Sequence, residues 1–213
     1  LKHDLSLWIQ DGVFKHEWLP DPLEKVNLAM RLRDGQLTIE HMSACAKKME
    51  VELRARLNPS RLPTHSNDEL CPEEAWVDSL FLTVRNLELK HDLFERLPSP
   101  VQRLNQMFRP EGFIAIQLRL SRQDGKIQRQ VRVIPQGICM AYAEQFNYPL
   151  HDVTGIIEID ASGNQQLSYT FNLLGYASKQ PVKINGMVQG SNAETLHLDI
   201  SGENIPLNET LLK

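Results

Sequence analysis

The sequence predicts a mostly β protein: an antiparallel, twisted and curved sheet built from two similar repeat units, with short helices at their boundaries. Three observations carry this prediction: run after run alternates with period two, hairpin-type residues separate the runs, and one half of the chain echoes the other.

The alternation comes first. Val26, Leu28, Met30 and Leu32 interleave with Asn27, Ala29 and Arg31, and Met49, Val51, Leu53, Ala55 and Leu57 with Glu50, Glu52, Arg54 and Arg56. Ile114, Ile116, Leu118 and Leu120 repeat the pattern, as do Leu167, Tyr169, Phe171 and Leu173, and Leu196, Leu198 and Ile200. Successive strand side chains point to opposite faces, so each run has one apolar and one wet face, as in antiparallel sheet solvated on one side. Asp34-Gly35, Asp124-Gly125 and the Asp160–Asn164 segment tolerate the positive φ of tight hairpin turns. About ten strands are expected.

Helical signals are few. Ser99-Pro100 is an N-cap followed by proline at the first helical position, and Val101, Leu104, Met107 and Phe108 follow at helical spacing. That helix should stop before Pro110. Shorter helices are expected near Asp92 and near Asn208. The 58–76 segment, with Pro59, Pro63 and Pro72, is expected to be a long exposed loop.

The repeat sets the organisation. Leu19-Pro-Asp-Pro-Leu-Glu-Lys-Val26 matches Phe146-Asn-Tyr-Pro-Leu-His-Asp-Val153. Leu80–Val84 matches Leu196–Ile200, and Asn86–Leu89 matches Asn204–Leu207. Two units follow: 1–112, with the 58–76 loop inserted and a helical boundary at 92–109, and 113–213, truncated in its terminal helix. The apolar face of each unit is too broad for one or two short helices. It must meet another sheet, the same sheet curled on itself, or lipid, since soluble monomers rarely leave so much apolar surface open. Periodicity leaves a groove and a closed sandwich equally open. If a groove forms, strand parity assigns its lining to Leu28, Met30, Val51, Leu53, Ile116, Leu118, Ile156, Tyr169, Phe171, Val182, Ile184 and Leu198.

Composition excludes several classes. With 41% hydrophobic and 23% charged residues the chain is ordinary for a globular protein, and its net charge of −4 offers no electrostatic case for nucleic acid. The seven histidines show no metal-site spacing, and no nucleophile elbow, phosphate loop or dinucleotide fingerprint is present. No catalytic, cofactor or metal residues are therefore assigned, and a non-enzymatic protein is expected. His151-Asp152 is the nearest to an acid–base pair, but its counterpart is Glu24-Lys25, so a solvated corner is expected. Cys45, Cys71 and Cys139 are odd in number and are expected as small apolar or loop residues, with their disulfide state open. Arg119, Arg122, Lys126, Arg129 and Arg132 are expected on the wet face of one hairpin, and Trp8, Trp18 and Trp76 as partly buried sheet aromatics. The chain opens on Leu1 and closes on Lys213, just after an expected helix start, so an internal segment of a longer protein is expected.

Three stretches carry a family likeness: the Leu19–Arg33 corner and strand, Phe146-Asn-Tyr-Pro-Leu-His-Asp-Val-Thr-Gly155, and Gly202-Glu-Asn-Ile-Pro-Leu-Asn208 leading into a helix. Through them the sequence resembles the AsmA-like, TamB-type proteins of bacterial envelopes, most closely the long chains of planctomycete type. The first copy departs from these patterns, having Leu28 at the place of Gly155 and lacking Gly and Pro around Asn86. The resemblance implies a periplasmic, membrane-associated protein whose parent chain is anchored in the inner membrane. It also implies a β-groove carrying phospholipid or another acyl-chain lipid in outer-membrane biogenesis, with neighbouring repeats of the same chain as partners and no cofactor. The alternative is a closed β-sandwich serving as a structural or protein-interaction module.

Overall fold

The computed structural model describes residues 4–16, 21–59, 76–89, 93, 102, 105–106, 108–142, 146–162, 168–189 and 195–205 (at 142, 146–148, 161–162 and 196 the backbone alone). Eleven strands follow one another: β1 (Asp4–Phe14), β2 (Leu23–Arg33), β3 (Gln36–Ala46), β4 (Met49–Leu57), β5 (Val77–Leu89), β6 (Gly112–Gln123), β7 (Lys126–Tyr142), β8 (Phe146–Ser162), β9 (Ser168–Ala177), β10 (Gln180–Gln189) and β11 (Thr195–Gly202). They lie in one sheet in sequence order, β1 to β11, so each strand hydrogen-bonds its chain neighbour. The mostly β, antiparallel fold expected from alternation is thus present.

Local chemistry explains this simple order. Two-residue turns link β2 to β3 and β6 to β7, with Asp34 at φ 49° followed by Gly35 at 80°, and Asp124 at 50° followed by Gly125 at 77°. Paired positive φ values match the twist of the flanking strands, so hairpins close tightly. Helix is confined to single described positions: Leu93, then Gln102, Asn105, Gln106 and Phe108. The Arg109 N–H donates to the Asn105 carbonyl at 2.8 Å, and Arg109 turns to φ 40°, ending the helix just before Pro110. The Asn58 N–H donates to the Trp76 carbonyl at 2.6 Å across the base of the Pro-rich loop. The loop's interior, the Ser99-Pro100 start and the helix near Asn208 lie outside the described residues.

The chain forms two compact units. The first comprises Leu1–Arg85, Gln117–Val131 and Ala161–Asn164; the second comprises Asn86–Ile116, Arg132–Asp160 and Gln165–Lys213. In the first, Leu23, Val26, Ala44 and Ala46 form one buried cluster. Ala55, Leu57, Val77 and Leu120 form another, against which Trp76 packs. The second unit has a larger core around Val153 and Val182, both fully buried, with Phe108 of the short helix packed on it.

Strand pairing refines the repeat. The corners match residue for residue: Leu23, Lys25 and Val26 correspond to Leu150, Asp152 and Val153, with Lys25 at φ 51° and Asp152 at 50°. The following hairpins match as well. Val51 pairs with Ala44 and Val182 with Gly175. The last strands align differently from the sequence expectation. Ala55 pairs with Leu80 and its counterpart Gly186 with Leu198, so Leu80 corresponds to Leu198 rather than to Leu196. The shift is two residues, which keeps every side chain on its face, and it brings β5 into line with Asn86 and Asn204, at φ 54° and 56°.

Candidate functional site

The site candidate is the apolar face of the sheet, described unit by unit. In the first unit, strand register aligns side chains into rows across β1–β5. One row is Leu5, Leu32, Leu37, Leu57 and Val77; the next is Leu7, Met30, Ile39, Ala55 and Leu80; the third is Ile9, Leu28, Met42, Leu53 and Leu82. A shorter fourth row holds Ala44, Val51 and Val84. The rows stay in step across a β3 bulge, where the three steps from Ile39 to Met42 lie opposite two steps on β2, Met30 to Leu28, and two on β4, Ala55 to Leu53.

The same register sends polar groups to the other face. Ser6, Arg31, Thr38, Arg56 and Ser79 form one row there, and Asn27, Ser43, Glu52 and Thr83 another. Arg31 donates twice to the Asp4 carboxylate, with Nε at 2.7 Å from Oδ1 and Nη2 on Oδ2, and this holds the Asp4 carboxyl below its usual range. The Arg85 guanidinium, 2.8 Å from Glu52, lowers Glu52 in the same way. These pairs are solvent-exposed, so they orient strands more than they stabilise them.

Four of the expected lining residues, Leu28, Met30, Val51 and Leu53, come together on this face and are half-buried rather than sealed. Leu118 of β6 is half-buried against the Leu57–Val77–Leu120 cluster. The rows that hold Leu28, Met30, Val51 and Leu53 also contain Leu7, Ile9, Ile39, Met42, Ala44, Ala55, Leu80, Leu82 and Val84, none of which was expected in the lining. Alternation through Leu37 and Ile39 signals two of the β3 positions, but the extra residue at Glu40–His41 hides Met42.

In the second unit, Ile157, Phe171, Gly186 and Leu198 align in one row, and Gly155, Leu173, Ile184 and Ile200 in another. Ile116, Phe171 and Leu198 are half-buried here, whereas Tyr169, Val182 and Ile184 are closed into the core at 7%, 0% and 8% exposure. Burial also pushes the Tyr169 hydroxyl above its ordinary pKa. Ile156 is corrected: it pairs with Asn172 on the opposite face and is 42% exposed. Val153 sets the parity. It is fully buried, so Gly155, Ile157 and Ile159 share its side, and Ile156 goes outward with Glu158. The Ile156-Ile157 doublet gave no period-two clue to this choice.

The candidate acid–base corner has a different chemistry. His151 and Asp152 are both exposed at the β8 bulge. The Cys139 Sγ lies 3.3 Å from His151 Nδ1, a spacing that suits a thiol–imidazole nucleophile. Burial, with the Glu111 and Asp152 carboxylates nearby, pushes the Cys139 thiol up in pKa. An activated cysteine requires the opposite shift, so the pair holds a protonated thiol at neutral pH. Cys45 and Cys139 are both free thiols. The expected basic group is partly tied into the fold: Arg122 donates to the Val77 and Gly125 carbonyls, at 3.2 and 3.0 Å, and Arg132 is 2.8 Å from Glu158. Among the described residues no group of three or more His, Cys, Asp or Glu side chains is placed to hold a metal ion. Trp8 is 70% exposed, Trp76 packs on the first unit's core, and Trp18 lies outside the described residues.

Comparison of the chain with protein-family models, with curated proteins and with solved structures finds no match.

Proposed function

We propose that this chain binds the acyl chains of lipid along the apolar face of β1–β5, as a non-enzymatic segment of an AsmA-like periplasmic envelope protein. The observation that carries the reading is the set of three unbroken five-residue apolar rows, in which Ala55, Leu57 and Val77 are buried while Leu28, Met30, Ile39, Met42, Leu53 and Leu82 stay partly exposed. Five strands about 4.8 Å apart give a row roughly 19 Å long. That length is on the scale of one leaflet's acyl chain, about half of a ~30 Å hydrocarbon layer. Such a face offers chain-wide van der Waals contact without specific polar groups, which suits lipid tails of varied structure.

The test is native mass spectrometry, with lipid extraction, of the chain purified from a bacterial host. The expected result is co-purifying phospholipid that is lost in Met42→Glu/Leu53→Glu. A clean protein mass in gentle detergent-free preparation, with no uptake from phospholipid vesicles, rejects the reading.

A second reading is favoured by the other unit: a structural module. There Val153 and Val182 are fully buried and Leu173 is 4% exposed, the packing of a closed core. On this reading the second unit supports the chain while the first holds the ligand.

A further inference from the structure

The basic residues of the β6–β7 hairpin divide between two faces. Arg119, Lys126 and Arg132 are exposed, whereas Arg122 and Arg129 are half-buried. Alternation explains the split and corrects the expectation that all five share the wet face. On β6, Leu118 and Leu120 pack into the Leu57–Val77 cluster, and Arg122 follows two residues later on the same side. On β7, Ile127 packs into that cluster, and Arg129 follows two residues later. Gln123 and Gln128, at the intervening parity, are exposed and bond to each other at 2.9 Å. The Asp124-Gly125 turn sets Gln123 opposite Lys126, so Arg122 faces Ile127 and Arg129 faces Leu120. The two arginines are then diagonal neighbours on one face, roughly 7–8 Å apart at their backbones, a spacing at which two long side chains reach a common group.

Arg122 is also held in place: its Nε donates to the Val77 carbonyl at 3.2 Å and its Nη1 to the Gly125 carbonyl at 3.0 Å. Carbonyls orient a guanidinium without neutralising it. Val77 ends the row that begins at Leu5, so the apolar rows of β1–β5 run toward two positive charges on their own face. A face that meets only acyl tails, or only other apolar side chains, has no use for cations at 122 and 129, because charge is costly to desolvate there. We propose that Arg122 and Arg129 form a headgroup subsite, binding the phosphate of a lipid whose headgroup carries net negative charge while its tails lie along the rows of β1–β5. This subsite presupposes the acyl-chain binding proposed above and adds the class of lipid. Guanidinium groups match phosphate oxygens in fork geometry. A zwitterionic headgroup brings its own ammonium toward the arginines and loses part of that attraction. The chain as a whole carries a net charge of −4, so its overall field does not draw it to anionic membranes, and selection of an anionic lipid must come from a local site.

The test incubates the full chain with vesicles of equal parts phosphatidylglycerol and phosphatidylcholine bearing the same acyl chains. The protein is then separated from the vesicles, and the ratio of the two lipids bound to it is read by native mass spectrometry and lipid extraction. The wild type should enrich phosphatidylglycerol at least about fivefold over its share in the vesicles. Arg122→Gln/Arg129→Gln should return the ratio to that of the vesicles, and Arg122→Lys/Arg129→Lys should keep part of the enrichment, since lysine still binds phosphate as a point charge. Circular dichroism and melting check each fold. Arg129→Gln alone, which leaves the Arg122 bonds to the Val77 and Gly125 carbonyls in place, should lower the enrichment even if the double variant is unstable. Lipid bound at the vesicle ratio in the wild type overturns the subsite and leaves acyl-chain binding standing. Enrichment that persists in Arg122→Gln/Arg129→Gln also overturns it. Uptake of neither lipid overturns the subsite and the acyl-chain reading together.

Discussion

Lys25 and Asp152 occupy the same place in two different strands. Each holds a positive φ, 51° and 50°, one residue before a buried valine and two after a buried leucine. In both strands the bulge flips parity, so that Leu23 and Val26, or Leu150 and Val153, point to the same side despite being three residues apart. The pair explains why the repeat is visible at these corners: a bulge is a backbone device, and it needs the same spacing of anchors wherever it recurs.

That backbone conformation costs a non-glycine residue about 1 kcal/mol or more. Asp152→Gly and Lys25→Gly should therefore raise stability by up to about 1 kcal/mol, while Lys25→Val and Asp152→Val should lower it by about 1–2 kcal/mol, because β-branching makes left-handed backbone worse. Urea unfolding midpoints at constant slope measure both.

Gly155 should tolerate no side chain. It has φ 126°, and a Cβ added there would lie 2.1 Å from the Asn172 carbonyl oxygen, which belongs to the paired strand's backbone and has nowhere to move. Gly155→Ala should cost ~2–4 kcal/mol, or prevent folding of the second unit. Gly35→Ala, with open space around it, should cost much less. Thermal melts of the two variants give the comparison.

Adjacent positions should separate the two faces of β8. Val153→Ala removes methyl groups from a fully buried site and should cost about 2 kcal/mol. Ile156→Ala, on the outer face, should cost less than about 1 kcal/mol. Equal effects in chemical denaturation would contradict the strand's register.

Acid should loosen the ion pairs of the polar face. Asp4 and Glu52 titrate below their ordinary values because Arg31 and Arg85 bind the charged carboxylates. The folded state thus holds these protons less tightly than the unfolded state. Their contribution is present above the ordinary carboxylate range near pH 4 and is lost as pH falls through the lowered folded values. Both pairs are exposed, so the effect should be small and should shrink in 1 M salt. Stability measured from pH 6 down to pH 2, in the wild type and in Arg31→Gln/Arg85→Gln, should converge at the acid end.

Cys139 should react slowly. Its thiol is raised in pKa by burial and by the Glu111 and Asp152 carboxylates, so little thiolate exists at pH 7. Alkylation should lag behind that of a free cysteine in a model peptide, and should speed up in Glu111→Gln. Fast labelling at neutral pH would reveal an activated thiol at the His151 corner.

Much of the architecture is legible in the amino-acid order alone. Alternation in Val26–Leu32 and Met49–Leu57 identifies strands and their faces, since each side chain's face follows from its position in an extended chain. Asp34-Gly35 and Asp124-Gly125 mark hairpins, and the Leu23–Val26 and Leu150–Val153 corners mark the repeat. Tertiary structure decided the rest. Only strand pairing shows that Met42 joins Leu28 and Leu53, that Leu80 corresponds to Leu198, and that Ile156 turns away from the core. Each depends on a bulge or an apolar doublet, where one residue more or less reverses a face without changing the composition of the strand. Packing also decided which apolar residues close and which stay open. Val182 and Met30 look alike in their alternating runs, but one is sealed in a core and the other lies half-open, because burial depends on what covers a strand and not on the strand's own sequence.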